Sequence, residues 1–389
     1  VSVTSAPGFR AAGVVAGLKG TGDPDLALVA AAPGTSASGA AVFTTNRAAA
    51  APVQLSRAHL AVTGGRVAGV VLNSGCANAA TGPEGLEAAR RTARAVAAAL
   101  GVPTEAVLVC STGLIGTRLD VERIEAAVPV LVSELDGGPD AGARAARAIM
   151  TTDTRPKEVV VERDGLVVGG MAKGAAMLSP HLATMLAVVT TAAAVDPARL
   201  RRLLGAAVDE TFNCLSVDGC QSTNDTVVAL SSGVHPPVGD NLLRDALTEA
   251  CGSLAEQMAR DAEGATRLVR VEVVGAADVA DARRAARRVV ESLLVKCSWH
   301  GGDPYWGRVA SELGASGAHV ELERLSVRYG GVEVARGGVA LPHDEAAVAA
   351  HMAGPEIEVT CDLGLGEGRA RLLGTDLGPG YIEENEGTS

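Results

Sequence analysis

Few residues of this 389-residue chain have the type and setting to carry chemistry. Residues 173–186 read KGAAMLSPHLATML: a Lys-Gly pair, a turn containing proline, then a lone Thr184 inside an apolar run. By composition such a threonine is a β-former whose methyl packs into the core. Upstream, AVLVCSTG at 106–113 reads as a buried strand stopping at Ser111-Thr112-Gly113, where a hydroxyl and a backbone N–H could face a cleft. Lysine is scarce: only Lys19, Lys157, Lys173 and Lys296 occur among 34 Lys and Arg. The ordinary surface cation here is therefore arginine, and each lysine stands out. By type alone, Glu263 is a helix-end carboxylate and Asn385 a residue of a disordered tail.

Other chemistries find little support. The seven His are dispersed without an H-x-x-x-H pair, which argues against a zinc hydrolase, and no metal is expected. The seven Cys show no C-x-x-C pair, so neither a zinc knuckle nor a disulfide framework is expected; reduced thiols in a cytoplasmic protein fit better. GEGRARLLG at 366–374 is Gly-rich but lacks the Lys-Ser/Thr of a phosphate-binding loop and the dinucleotide fingerprint. GTSASG at 34–39 reads as a loop, and Asp218, Asp225 and Asp303 read as turn and cap residues rather than metal ligands. A net charge of -11 and a pI of about 5.2 speak against a nucleic-acid binder. No apolar run of about 18 residues predicts a membrane span, and no secretory signal is visible at the N-terminus.

The elements that must hold these residues follow from pattern. DLALVAAA, GAAVFTTN and VAGVVLNSG each look like a strand ending in polar or Gly-rich turn residues. Helical spacing covers 85–100, and 120–150 read as helical with a break at Gly137-Gly138-Pro139. Asp164-Gly165 between two Val-rich runs predicts a hairpin. Pro197 opens a helix to about Thr211, and further helices are expected over Asn241–Ala262 and Asp278–Leu294, with RLVRVEVVGA a strand between them. VELERLSVRYGG and EIEVTCDLGLGEGRARLLG read as returning strands. Strands and helices cluster rather than alternate, which favours α+β layers. The length suggests two lobes or layered halves, yet no linker or boundary is visible. With aromatics at 2% and apolar residues at 47%, the core must be Ala, Val and Leu.

Taken together, these motifs resemble the ornithine acetyltransferase family of the acetyl-recycling arginine pathway. Its cleavage-site pattern is Lys-Gly, small or apolar residues, Pro, two residues, then Ala-Thr-Met-Leu; every element stands here at the expected spacing. NSGCANAATG at 73–82, STGLIG at 111–116, IMTTDTRPKE at 149–158, TFNCLSVDG at 211–219, STNDT at 222–226, DAEGATR at 261–267, DPYWGRV at 303–309 and YIEEN at 381–385 follow in family order. The likeness spans nearly the whole chain.

The resemblance implies a layered αββα fold of N-terminal-nucleophile type, split by self-cleavage into residues 1–183 and 184–389 that form one catalytic body. A threonine hydroxyl is a poor nucleophile without a base, but an N-terminal threonine carries its own, an α-amine with a pKa near ~7.7–8.0. Cutting between Ala183 and Thr184 would create one. Thr184 would then take acetyl from N-acetylornithine and pass it to glutamate by a ping-pong route. Thr112 and Gly113 would stabilise the oxyanion. Lys173, Thr151, Glu263, Asn385 and Ser389 would contact substrate: Lys173 the α-carboxylate, Thr151 as first residue of the Thr-Thr-Asp motif, Glu263 the ornithine side-chain ammonium. No cofactor is implied beyond acetyl-CoA as a co-substrate, and the cleaved pairs would assemble as a homo-oligomer.

The chain departs from the family at Cys220-Gln221, at Tyr305 in place of the usual Asn, at CSWHGG over 297–302, and in a tail that ends NEGTS, where Thr388 and Ser389 compete for the last contacting hydroxyl. These changes leave open a paralogue with another amino-acid acceptor. Water as acceptor would instead make the chain an amidohydrolase or aminopeptidase, and a chain that never cleaves would be a non-enzymatic scaffold.

Overall fold

The run LAVVTTAA, Leu186–Ala193, is buried at all eight positions, a pattern only a strand covered on both faces can show. The computed structural model, which describes residues 2–179 and 185–387, places it inside the first of two compact units. That unit holds the chain up to Asn213 together with Cys220–Met258. Its elements are β1 (Phe9–Val14), β2 (Leu26–Ala31), β3 (Ala37–Phe43), α1 (Ala51–Thr63), β4 (Arg66–Val67), β5 (Gly69–Asn73), α2 (Gly82–Leu100), β6 (Val107–Ser111), α3 (Val121–Ser133), α4 (Pro139–Ala148), β7 (Lys157–Arg163), β8 (Leu166–Lys173), β9 (Leu186–Ala193), α5 (Pro197–Glu210), β10 (Thr226–His235) and α6 (Asp240–Arg260), whose last residues pass into the second unit.

Two sheets form, one of order β1-β2-β5-β6 and one of order β4-β3-β10-β9-β8-β7. Their facing sides share a core in which Val29, Leu72 and Leu108 of the first meet Met171, Val188 and Val228 of the second. The outer face of the first sheet, with Leu28, Val71 and Val109, is covered by Leu55 of α1, Val96 of α2 and Ile124 and Leu131 of α3. On the second sheet α5 packs against β3, and α6 grips β7 through Gln257, whose side chain exchanges hydrogen bonds with the backbone of Glu158 at 3.1 and 3.3 Å. This unit is therefore layered helix, sheet, sheet, helix. Each fully buried Val or Leu contributes about 1.5–3 kcal/mol, so β9, central between β8 and β10, is held firmly.

The second unit holds Cys214–Gly219 and the chain from Ala259 onward. It contains β11 (Leu268–Ala276), α7 (Val279–Glu291), α8 (Leu293–His300), α9 (Trp306–Gly314), β12 (Ser326–Tyr329), β13 (Val332–Arg336), β14 (Val339–Ala340), α10 (Glu345–Met352), β15 (Glu356–Asp362), β16 (Gly368–Thr375) and α11 (Pro379–Asn385). One sheet, ordered β14-β13-β12-β15-β11-β16, buries Val269, Val271, Ile357 and Val359 against Ala282, Ala286 and Val289 of α7 and Trp299 of α8.

Several expectations need correction. The helix expected over Asp278–Leu294 breaks at Ser292, which ends α7 and caps α8, its hydroxyl accepting the Val295 N–H at 3.4 Å; serine competes well for such cap positions. Of VELERLSVRYGG only Ser326–Tyr329 is a strand, because Arg324 N–H to Glu321 C=O (3.0 Å) and Leu325 N–H to Leu322 C=O (3.2 Å) close turns before it. A division into two units exists although no linker marked it, since one crossing falls between Met258 and Ala259 inside α6, where neither residue signals a break. Among the described residues the unit crossings fall at 213/214, 219/220 and 258/259, and β8 and β9, which precede and follow the 183/184 junction in the chain, are neighbours in one sheet. Asp164 (φ 49°) and Gly165 (φ 78°) make the hairpin turn as expected, with Arg163 opposite Leu166. Among the described residues no helix is long and apolar enough to cross a membrane.

Candidate active site

β6 is buried at all five positions and carries Thr112 and Gly113 at its end. The Thr112 N–H bonds Asn73 C=O at 2.9 Å, and Thr112 bridges Cys76. Gly113 adopts φ 126°, and a Cβ there would sit 2.3 Å from the Gly75 carbonyl carbon and 2.6 Å from the Cys76 nitrogen. Only glycine permits both the conformation and the approach. Among the described residues neither the Thr112 hydroxyl nor the Gly113 N–H forms a hydrogen bond, while the Leu114 N–H is taken by Gly75 C=O at 3.4 Å. Two donors at a strand end, one on an enforced backbone, can receive a developing negative oxygen.

Lys173, at the end of β8, is 3% exposed, not the surface cation a lysine usually is. Its Nζ lies 3.9 Å from Asp153 Oδ2, and Lys157 Nζ, fully buried, lies 2.5 Å from Asp153 Oδ1. The same carboxylate accepts the Thr151 N–H at 3.0 Å and the Gly174 N–H at 2.8 Å. Burial alone would raise the Asp153 pKa, but Lys173, Lys157 and the hydrogen bonds from Lys157 and Gly174 outweigh it and bring it to about 2. Thr151 and Lys173 thus meet at one buried carboxylate. Sequence reasoning overlooked Asp153, whose signal was the third letter of Thr-Thr-Asp, and singled out Lys157 by the scarcity of lysine without giving it a role.

Ala183 and Thr184 lie outside the described residues. Met185, the next residue, is held on both sides: its N–H donates to Asp225 Oδ1 at 3.0 Å, and its C=O accepts the Thr226 N–H at 3.1 Å. Leu186 then stands between Lys173 of β8 and Thr226 of β10. Asp225 is wholly buried, and that burial raises its pKa well above the usual carboxylate range against the pull of the Met185 N–H and the Lys173 charge. Lys157 and Lys173 thus approach the Asp153 carboxylate from two sides in this interior.

Glu263 and Asn385 belong to the second unit. Asn385 is the last residue of α11, not part of a disordered tail; its Nδ2 donates to Glu263 Oε2 at 2.7 Å and to Tyr381 C=O at 2.9 Å. Gly264, at φ 64°, lets α11 come close, since a Cβ there would lie 2.0 Å from the Tyr381 nitrogen. Thr388 and Ser389 lie outside the described residues. Among the described residues no group of His, Cys, Asp and Glu could hold a metal.

Residues 10–387 match the ArgJ family. The arginine biosynthesis bifunctional protein ArgJ of Mycolicibacterium paratuberculosis is 48% identical over 100% of this chain and 96% of its own length. That of Thermobifida fusca is 46% identical over 100% of both. Among solved structures, ornithine acetyltransferase complexed with ornithine from Mycobacterium tuberculosis shares 49% identity over 46% of this chain and 94% of its own, with a TM-score of 0.44. The protein is accordingly a layered α/β enzyme of the acyltransferase class that works in arginine biosynthesis. Within that class the chain belongs to the ArgJ family.

Proposed function

We propose that the chain cuts itself between Ala183 and Thr184 and then carries acetyl from N-acetylornithine to glutamate through an acetyl-Thr184 ester. In the cut, Thr184 Oγ adds to the Ala183 carbonyl, the C–N bond breaks to free the Thr184 amine, and water hydrolyses the resulting ester to the Ala183 carboxylate and the Thr184 hydroxyl. That amine then serves as the base for its own hydroxyl. Thr184 Oγ attacks the acetyl carbonyl, ornithine leaves with the proton on its amine, and the α-amine of glutamate takes the acetyl in the second half-reaction. Thr112 Oγ–H and Gly113 N–H receive the oxyanion in both halves.

The observation that carries this reading is that pair of donors, used by no group among the described residues and held at a position only glycine can occupy. The Lys173 ammonium beside Thr151 and Asp153 suits the α-carboxylate shared by both amino acids, and the family resemblance assigns Glu263 to the ornithine side-chain ammonium. Acetyl-CoA serves as a second acetyl donor to glutamate. The chemistry needs no bound cofactor, and the two cleaved pieces stay joined because β8 and β9 share a sheet; the joined pairs assemble as a homo-oligomer.

Intact-mass measurement on purified protein tests the reading: two chains meeting at 183/184 are expected, and Thr184→Ala is expected to remain one chain without transfer activity. An active uncut protein would overturn it. Release of acetate at full rate without glutamate would mark a hydrolase, and a better acceptor than glutamate would mark a paralogue of another pathway.

A further inference from the structure

We propose that Asn224 and Asp225 are positioning residues, a two-residue clamp that fixes the distance between the oxyanion loop and the nucleophile strand. The inference rests on the reading of Thr184, Thr112 and Gly113 given above. Asn224 is buried, and its Nδ2 donates to Ala77 C=O at 2.6 Å and to Ser111 C=O at 2.8 Å. The Ser111 carbonyl belongs to the peptide that leads into Thr112. Ala77 in turn donates its N–H to Leu114 C=O at 3.0 Å, so the two carbonyls taken by Asn224 bracket the 112–114 loop. The amide cannot be turned over: its oxygen accepts the Thr223 hydroxyl at 2.6 Å, and a flip would set that oxygen against two carbonyls.

The next residue grips the other partner. Asp225 Oδ1 takes the Met185 N–H, Thr226 N–H takes the Met185 carbonyl, and the Asp225 carbonyl accepts the Thr44 N–H at 2.9 Å beyond β3. Met185 is the residue bonded to Thr184. Asn224 thus holds the end of β6 in one sheet, while Asp225 holds the start of β9 in the other. Asp225 Oδ2 is buried without a well-formed hydrogen bond, and the Ser222 and Thr44 hydroxyls are close enough to the carboxyl to pull against the effect of burial. Burying a carboxyl so incompletely paired costs stability. What it provides is a rigid acceptor for a backbone N–H at one fixed place. Oxyanion donors and nucleophile must be held within a fraction of an ångström, and a misplacement of about 1 Å costs on the order of a hundredfold in rate.

The experiment uses the full chain with four variants, Asn224→Asp, Asn224→Ala, Asp225→Asn and Asp225→Ala. Readouts are intact mass, thermal unfolding, and kcat and KM for acetyl transfer. Asn224→Asp removes both donors and puts a carboxylate oxygen against two carbonyls; its kcat should fall on the order of a hundredfold while KM changes less than about threefold. Asp225→Ala should slow cleavage and lower kcat similarly. Asp225→Asn keeps an oxygen facing the Met185 N–H and should retain kcat within about threefold. If the Asn224 variants do not fold, this contrast at position 225 decides. Wild-type kcat in folded Asn224→Asp and Asp225→Ala, or losses confined to KM, would overturn the clamp alone. Full activity in uncut Thr184→Ala would overturn the clamp together with the reading it rests on.

Discussion

In β9 of the first unit every residue is buried, whereas β15 of the second alternates buried Ile357, Val359 and Cys361 with exposed or half-buried Glu358 and Thr360. The first pattern belongs to a sheet pressed between layers; the second belongs to a sheet with one wet face. Charge follows the same division. On the open face of the second unit, Arg369 pairs with Glu272 at 2.6 Å and Arg371 with Glu358 at 3.6 Å, their arginines more than half exposed. Such pairs are screened and worth ~0–1 kcal/mol. Inside the first unit, Asp153, Lys157 and Lys173 have almost no water, so each must be matched by another charge or a backbone dipole. Charge placed where it is costly to hold marks the region where chemistry is expected. Lys296 of the second unit is an informative exception. It is buried but is satisfied by the Thr375 carbonyl and, at 3.1 Å, the Thr375 hydroxyl, and burial lowers its pKa to about 8 despite Asp376 and Asp218.

This contrast can be broken in graded steps. The largest effect is expected from Lys157→Met, which leaves the buried Asp153 with one cation at 3.9 Å; urea unfolding should show a loss of about 3–5 kcal/mol. A smaller effect comes from acid. The folded Asp153 has a pKa of about 2, below its unfolded value near ~3.9, so it stabilises above the unfolded value. That stabilisation, about 2–3 kcal/mol, should drain away as pH falls from about 4 to 2. Asp153→Asn should flatten this part of the stability profile.

Lys296→Met should change stability at neutral pH by no more than about 1 kcal/mol, because losing two hydrogen bonds is offset by relieving a buried charge. Its sign with pH is opposite to that of a lysine whose pKa is raised by a salt bridge. The folded pKa is depressed, so the wild type should gain stability as pH rises from about 8 to the unfolded value near ~10.4. The variant should lose that slope, and its retention would assign the slope to another group. The smallest effect, under about 0.5 kcal/mol, is expected for Glu272→Gln on the open sheet face. A loss there comparable to that of Lys157→Met would dissolve the distinction between the two regions.

Much of the scaffold was readable because local rules and burial agreed. The helices α2, α5 and α6 fall where apolar spacing and Pro197 placed them, and the Asp164-Gly165 hairpin forms because both residues accept the left-handed region. The strand Thr226–His235 escaped notice, although it joins β9 to β3 at the heart of its sheet. Its second half, SSGVH, is polar and largely exposed, so composition diluted the signal of the buried first half. The break at Ser292 escaped for the converse reason: helical spacing continued across it. Among site residues, Thr112, Gly113, Thr151, Lys173, Glu263 and Asn385 came from motif resemblance, whereas Asp153, Lys157, Asn224 and Asp225 did not. Each of those four is an ordinary polar residue in a turn-rich stretch until its burial is known.

The amino-acid sequence by itself determined the family, the order and type of most elements, and the motif around Thr184, because these depend on residue identity and short spacing. Only the tertiary structure decided that Lys173 is an interior charge rather than a surface one, that Asp153 gathers two lysines and two backbone amides, and that Asn224 and Asp225 reach two different sheets. The physical reason is that charge, hydrogen-bond demand and pKa are set by what surrounds a group. Those surroundings are assembled from segments more than a hundred residues apart, as between Ser111 and Asn224.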